Sequence, residues 1–402
     1  MSASATIALF NLPEVSQEDF TAHNQESVAL WKAFNEGTHE RVPVRLNCNP
    51  RILMLDPKYN TRGITYKDYM LDPEVMAQAM LEFQYWTRFF LPGDHEKGLP
   101  DKWVARIDFE NHYDAAWLGC PVHYRDGQVP DTTPILNDDN KRMLFDRGIP
   151  DPFAGEWVER CLRHIDVFQR KEKEGWTFLG VPVRVETATP FMGCDGVFTA
   201  AISLRGATGL CLDLLTDPDY AHELLNYVYN ALTLRMKAWR PRAGVPVPQD
   251  GFGSADDAIE LLSDEQYREF VLPIHKQFFD QFGTASDRGM HLCGDVQRHF
   301  KTVHDELGVV NFDTGFPVDF EKLRADLGRN VLVSGGPRVP LFLEDSPQPV
   351  IKETERILRS GILCGGRFIL QEANNLAPRA RLHVCEAFYD TGKRVGHRAL
   401  FS

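Results

Sequence analysis

The sequence has no long apolar run. No stretch of its 402 residues approaches the roughly 18–20 consecutive apolar residues of a membrane-spanning helix, so no membrane span is expected. Basic residues are not in excess either. With 44 Lys and Arg against 57 Asp and Glu the formal net charge is −13. Such a chain lacks the basic face that neutralises a phosphate backbone, so nucleic acid is not an expected partner, and anionic membrane surfaces are disfavoured. The first residues, "MSASATIALFNLPEVSQEDF", have neither the basic start nor the hydrophobic stretch of an export signal. Cysteine is sparse and scattered, eight in the whole chain, without the spacing of a disulfide framework. That usage fits a reducing cytoplasm, where most cysteines are small buried apolar residues and a few serve as ligands. Low-complexity tracts, short repeats and polar linkers are also missing. A cytoplasmic location is expected.

Apolar residues make up 43% of the chain, enough for a large core. Residues 1–40 read as a helical N-terminal extension, with Phe20, Val28, Leu30, Trp31 and Phe34 spaced as on a helix before a stop at Gly37. Residues 41–402 then alternate short Val- and Ile-rich stretches with helical ones. Strands are expected at 42–49, 103–111, 181–190, 244–253, 289–295, 309–315, 330–337 and 367–375. Among the helices, "SDEQYREFVLPIHKQFFDQFG" opens with a Ser263/Gln266 capping box and closes at Gly283. Alternation of this kind predicts a parallel sheet with right-handed crossovers, and eight units predict a single (β/α)8 TIM-type barrel over 41–402. A doubly wound open sheet is the alternative. "CPVHYRDGQVP" is expected to add a hairpin.

In such a barrel the active site lies at the C-terminal ends of the strands. Those ends carry Asn47, Asp108, Glu110, Glu186, Asp250, the pair His291 and Cys293, Asp313, Gly335 and Gly336, and finally Gln371, Glu372, Asn374 and Asn375. Polar groups in that position cost free energy unless they are paired or functional. On a strand, residues two apart share a face, so the "HLC" of "GMHLCGD" presents an imidazole and a thiol together. These are ligand types that Zn2+ favours. A lone His-x-Cys is more often a satisfied core histidine beside an inert thiol, but the surrounding acids tip the reading toward metal. Further ligands are sought among Asp250, Glu372, Asn374 and Cys364, the last lying before its strand. Asp108, Glu110, Asp250, Asp313 and Asn374 are candidate catalytic groups. Gly335, Gly336 and Asn375 are candidates for contacting a cofactor, since backbone N–H groups in "VSGGP" can cradle a phosphate. Asp256 and Asp257 read as capping or solvated residues, and Arg45 and Arg51 as surface residues.

From residue 180 to 390, and more loosely from residue 40, the chain resembles the uroporphyrinogen decarboxylase superfamily. The resemblance rests on "PFMGCDGVFTAAISLRGATGLCLDLLTDPDYAHELL", "SDEQYREFVLPIHKQFF", "MHLCGD", "FDTGFPVDFEKLRADLG" and "GGRFILQEANNLAP", in that order. It implies a (β/α)8 barrel. True uroporphyrinogen decarboxylases carry an N-terminal R-Q-A-G-R motif that holds substrate carboxylates; the corresponding "VPVRLNCNPRI" has none. The superfamily's other branch consists of zinc-dependent methyltransferases that exchange methyl groups with a corrinoid. Their His-x-Cys…Cys ligand pattern is matched in its first half by His291 and Cys293. For the second half, Cys364 has acceptable spacing but precedes the last strand, after which Asn374 stands.

The resemblance therefore implies a zinc-dependent methyltransferase or demethylase, working with a corrinoid carried by a partner protein. The alternative is a metal-free, decarboxylase-like lyase in which Asp108, Asp250 or Asp313 stabilises a developing cation and His291 shuttles a proton. A non-catalytic binding protein on the same scaffold is the third reading.

Overall fold

Five parallel strands form the main sheet of the computed structural model, which describes residues 8–14 and 18–401. In chain order the strands are β1 (Trp103–Ala105), β2 (Val122–His123), β3 (Asp131–Thr132), β4 (Thr177–Phe178), β5 (Val181–Val185), β6 (Gly253–Ala255), β7 (Gly289–Leu292), β8 (Asn311–Thr314), β9 (Leu332–Gly335) and β10 (Phe368–Leu370). The main sheet runs β10-β9-β8-β7-β6. The extended chain at 42–46 lies beside β10, with Arg45 N–H donating to the Leu370 carbonyl and Leu370 N–H to that of Pro43. A second ladder pairs β1 with β5 in parallel and β5 with the short antiparallel β4. Among the described residues no strand ladder joins β1 to 42–46 or β5 to β6. The fold is thus an α/β parallel sheet of the modified-barrel kind with a helical N-terminal extension, its hydrogen bonding divided between two ladders. The expected hairpin forms as β2 and β3.

Burial alternates with period two along β7 and β8, whereas β9 and β10 are buried nearly throughout. Met290, Leu292, Phe312, Val333, Phe368 and Leu370 face the helices and are almost fully buried. Removing such side chains from water is worth roughly 1.5–3 kcal/mol each, which supports the polar residues carried on the opposite face. The helices begin where the sequence supplies acceptors. Thr65 and Asp68 form a capping box, and Asp72 accepts from Glu74 N–H ahead of the helix Pro73–Phe90, with Pro73 at the position where a missing N–H costs nothing. The Ser263/Gln266 box is present, but the expected single helix is locally widened to a π-turn over Tyr267–Val271. Pro273, which has no N–H to give, accounts for the widening. In the extension the helix Thr21–Glu36 stops at Gly37 in the left-handed region; the expectation for residues 1–7 and 15–17 lies outside the described residues. No single described helix is long and apolar enough to cross a membrane.

One expected strand is displaced. Residues 244–252 form turns, and the ladder begins only at Gly253. Pro246 and Pro248 cannot donate to a ladder, and Gly251 is left-handed, with φ +66.

Candidate metal centre

The register of the main sheet decides which polar side chains meet. Ala255 is opposite His291, His291 opposite Asp313, and Asp313 opposite Ser334. His291 and Asp313 are thus cross-strand neighbours on the inner face, and His291 Nδ1 lies 2.8 Å from Asp313 Oδ2. Two residues beyond Ala255, the chain brings Asp257 onto the same side. Its Oδ1 is 3.6 Å from His291 Nε2 and accepts the backbone N–H of Cys293 at 2.9 Å. Among the described residues, Asp257, His291 and Cys293 form the one group of three metal-ligand types whose ligand atoms all lie within 4.8 Å of one another. Gly315 makes room for this grouping, because a Cβ there would come 2.2 Å from Cys293 Cβ.

A directional chain of hydrogen bonds orients the imidazole. Arg45 Nε, which only donates, bonds Gln371 Oε1 at 2.7 Å. That turns the Gln371 amide nitrogen toward Asp313 Oδ1, to which it donates. Asp313, with acceptors only, takes the Nδ1–H of His291 on its other oxygen. In the neutral ring Nε2 is then the lone pair, on the side of Asp257. Carboxylate support of this kind fixes the tautomer of a metal-binding histidine and raises its basicity. Burial pulls the His291 imidazolium down, but the bond to Asp313 and the charges of Asp257, Asp313 and Asp195 outweigh it, and the net shift is upward. Burial and the neighbouring carboxylates Asp257, Glu260 and Asp313 push the Cys293 thiol well up. Without a cation, then, the thiol is neutral.

Of the three candidate ligands, Asp257 and His291 line a cavity of about 780 Å³, whose lining also includes Arg45, Asn47, Asn111, Asp195, Asn374 and Asn375. Asn374 holds a left-handed backbone, φ +110. Asp195 was not singled out by sequence reasoning. Its backbone N–H is tied to Asp114 at 2.8 Å, and Asp114 in turn takes the buried Arg235. The side-chain Oδ2 of Asp195 has no hydrogen-bond partner, and burial with the adjacent charges of Asp114 and Asp257 pushes its carboxyl well up.

The other predicted residues fall elsewhere. Asp250 sits before β6, at the end of the strand away from His291. It is exposed and accepts from Thr284 Oγ1, so the proline-driven displacement of that strand removes it from the site. Glu372 is fully buried on the face opposite its neighbour Gln371, and both its oxygens are 3.0 Å from the Asn47 nitrogen. Consecutive residues on extended chain point apart, so Glu372 is a structural anchor. Cys364 lies in the turn before β10, near Arg324, which bonds the carbonyls that precede β9 and β10. That is the far end of the sheet. Asp108 and Glu110 build a separate cluster past β1, in which Tyr69 donates to Asp108 at 2.8 Å and Arg51 Nε to Glu110 at 2.9 Å. Of that segment, Asn111 lines the cavity. Gly335 and Gly336 do not form a cradle. Both are buried, and a Cβ on Gly336 would come 2.0 Å from the Gln371 carbonyl, so close strand packing is what requires glycine there. Asp256 is a cap, as expected, accepting from the N–H groups of Phe198 and Thr199 at the start of a helix; its neighbour Asp257 is the residue that sequence reasoning set aside. Only the adjacency of "SADD" to a strand end signalled it.

Three comparisons bear on identity. A family model described as Uroporphyrinogen decarboxylase (URO-D) matches residues 26–395. Among solved structures, a methyltransferase from Methanosarcina mazei superposes with a TM-score of 0.61 at 17% sequence identity, covering 90% of this chain and 96% of that one; at that identity the likeness concerns the fold. No curated protein matches.

Proposed function

This chain belongs to the uroporphyrinogen decarboxylase family, and from that premise we propose that Asp257, His291 and Cys293 hold a zinc ion that activates a small-molecule acceptor for methyl transfer. Transferase- or lyase-type chemistry on a small molecule is the shared ground of family and fold. The observation that carries the finer reading is the Arg45–Gln371–Asp313–His291 chain, which leaves a bare Nε2 on the side of Asp257. One nitrogen, one sulfur and one carboxylate oxygen suit Zn2+, and three protein ligands leave a coordination position open for a catalytic role. The 3.6 Å between Nε2 and Asp257 Oδ1 is close to the edge of a tetrahedron with bonds of about 2.0–2.2 Å. A zinc ion held by these three residues would supply Lewis acidity, lowering the pKa of an acceptor thiol or water.

The chain's own groups do the rest. Asp313 holds His291 in its ligating tautomer. Asn47, Asn374 and Asn375 offer amides to polar substrate groups in the cavity. Asp195, whose carboxyl is pushed well up by burial and by the neighbouring charges of Asp114 and Asp257, lies on the same wall. The corrinoid partner enters this reading through the resemblance to the methyltransferase branch and is assigned no residue here.

A metal-free decarboxylase-like lyase is the second reading. The family description favours it, since it names decarboxylation and spans residues 26–395. In that reading His291, with its basicity raised by Asp313, moves the proton, and Asp313, which lines the same cavity, stabilises positive charge.

Metal content separates the two. Protein purified without chelator is expected to carry about one zinc per chain, lost in a His291→Ala/Cys293→Ser double variant. Wild-type protein that takes up no zinc on reconstitution would exclude the first reading and direct assays to decarboxylation.

A further inference from the structure

Between the extended chain at 42–46 and β1 the two ladders do not join, and side chains cover the strand edges there instead. The helix Pro73–Phe90 and the turn after it supply both covers. Gln84, on the helix, takes both backbone groups of Val104 in β1: its Nε2 donates to the carbonyl at 2.7 Å and its Oε1 accepts the N–H at 3.2 Å. Asp94, past the helix end, does the same for Val44. Its Oδ2 accepts the Val44 N–H and its own N–H donates to the Val44 carbonyl, each at 2.7 Å. Arg41 in turn holds both Asp94 oxygens. A bare strand edge invites pairing. Here each edge is satisfied without the other, and the seam is held open.

The cavity of the metal centre reaches this seam. Its lining includes Leu46, Phe83, Thr87 and Leu91 as well as Asp257 and His291. Consecutive residues on extended chain point apart. Arg45 points to Gln371 and the imidazole, so Leu46 points to the other side of the same chain, yet both line one cavity. That cavity therefore passes the chain, whose other edge is closed by β10. Leu46, Phe83 and Leu91 give the far side an apolar wall, and apolar surface facing a cavity is stabilised when an apolar group removes it from water. A volume of about 780 Å³ is that of a pocket enclosing a whole organic ligand, larger than a few-atom acceptor needs.

We propose that the seam is a subsite for an uncharged apolar group of the substrate, and that Phe83 and Thr87 set the size it accepts. The substrate is then amphipathic, with its polar reacting end at His291 and its hydrocarbon end between 42–46 and β1. The inference rests on the reading that this cavity holds the substrate, under either chemistry, and not on the zinc.

The test is a 19F NMR titration of the full chain as purified with 4-fluorotoluene, with neutral but polar 4-fluorobenzamide as the control. Wild-type protein should bind fluorotoluene saturably at one site and the benzamide at least tenfold more weakly. Thr87→Phe, which puts a ring into the seam from a half-buried position, should weaken fluorotoluene at least tenfold. Phe83→Ala should instead shift preference toward 1-fluoronaphthalene over fluorotoluene at least tenfold, a change of size selection that mere loosening of the helix does not produce. The His291→Ala/Cys293→Ser variant should bind fluorotoluene as the wild type does, so that zinc content and seam binding are read separately. Absence of saturable binding, equal affinity for fluorotoluene and the benzamide, or binding that survives Thr87→Phe would each overturn the proposal. So would loss of binding in the metal-centre variant, which would place the probe at the metal centre. Melting curves establish that the variants fold; if Thr87→Phe does not, the size shift in Phe83→Ala decides, and its absence overturns the proposal.

Discussion

Replacing Asp313 by Asn tests the hydrogen-bond chain behind the metal centre with the smallest change in shape. Two donors converge on this carboxylate, His291 Nδ1–H at 2.8 Å and the amide of Gln371. An asparagine offers one acceptor oxygen and one NH2 group. Gln371 cannot turn over to accommodate it, because Arg45 Nε holds its oxygen at 2.7 Å. The new oxygen can therefore serve Gln371 while the NH2 faces Nδ1. That outcome moves the imidazole proton to Nε2, the atom that must ligate. If instead the oxygen serves His291, two NH2 groups confront each other. The first arrangement keeps both hydrogen bonds but loses the charge and protonates the ligating nitrogen, and the second loses one hydrogen bond to a charged group, worth roughly 1.5–3 kcal/mol. That corresponds to about 10–100-fold in zinc affinity, the range typical for the carboxylate behind a metal-binding histidine. Competition with a chromophoric chelator at pH 7.5 measures the affinity, and imidazole 15N shifts report the tautomer. An Asp313→Asn protein that binds zinc within twofold of wild type, with the proton still on Nδ1, would refute the reasoning.

Asp257→Asn should weaken zinc by a similar factor, because it removes the anionic ligand; unchanged affinity in the same competition assay would exclude Asp257 from the coordination sphere. Asp250→Asn and Cys364→Ser should leave zinc stoichiometry untouched, since both residues lie at the other end of the strands; loss of metal in either would overturn that placement. Acid should destabilise the fold through its buried histidines. Burial pulls His112, His164 and His299 each down to about 4, whereas in the unfolded chain they titrate near 6.5. Between those values the unfolded state binds more protons. Stability is therefore complete above about pH 6.5 and is lost as pH falls toward 4, by no more than roughly 3 kcal/mol per histidine. His164, fully buried with Nε2 unpartnered, is the residue to replace. His164→Phe should flatten the fall in melting temperature between pH 7 and pH 5, and an unchanged slope would show that His164 does not titrate there.

How much of this site was legible in the sequence follows from the distance over which each relation acts. His291 and Cys293 share a face because they are two apart on one strand, a relation that depends on no other part of the chain. The remaining members are joined by register. Whether Gln371 or Glu372 faces the imidazole depends on the parity of β10 against β9, and a slip of one residue exchanges them. In the fold Gln371 reaches Asp313 while Glu372 is buried against Asn47. An acid was expected from the strand before β7, and one is there, but two prolines delay that strand until Gly253. The delay moves Asp250 to the entry end and Asp257 to the site. Hydrophobic periodicity reports that a strand exists more reliably than where its ladder starts, and a ladder start misplaced by several residues is enough to exchange the site residue. The same limit applies to Arg45. As an arginine near an expected strand it looks like a surface charge, and only the pairing of 42–46 with β10 brings its Nε to Gln371 and makes it the fixed donor that sets every hydrogen bond up to His291.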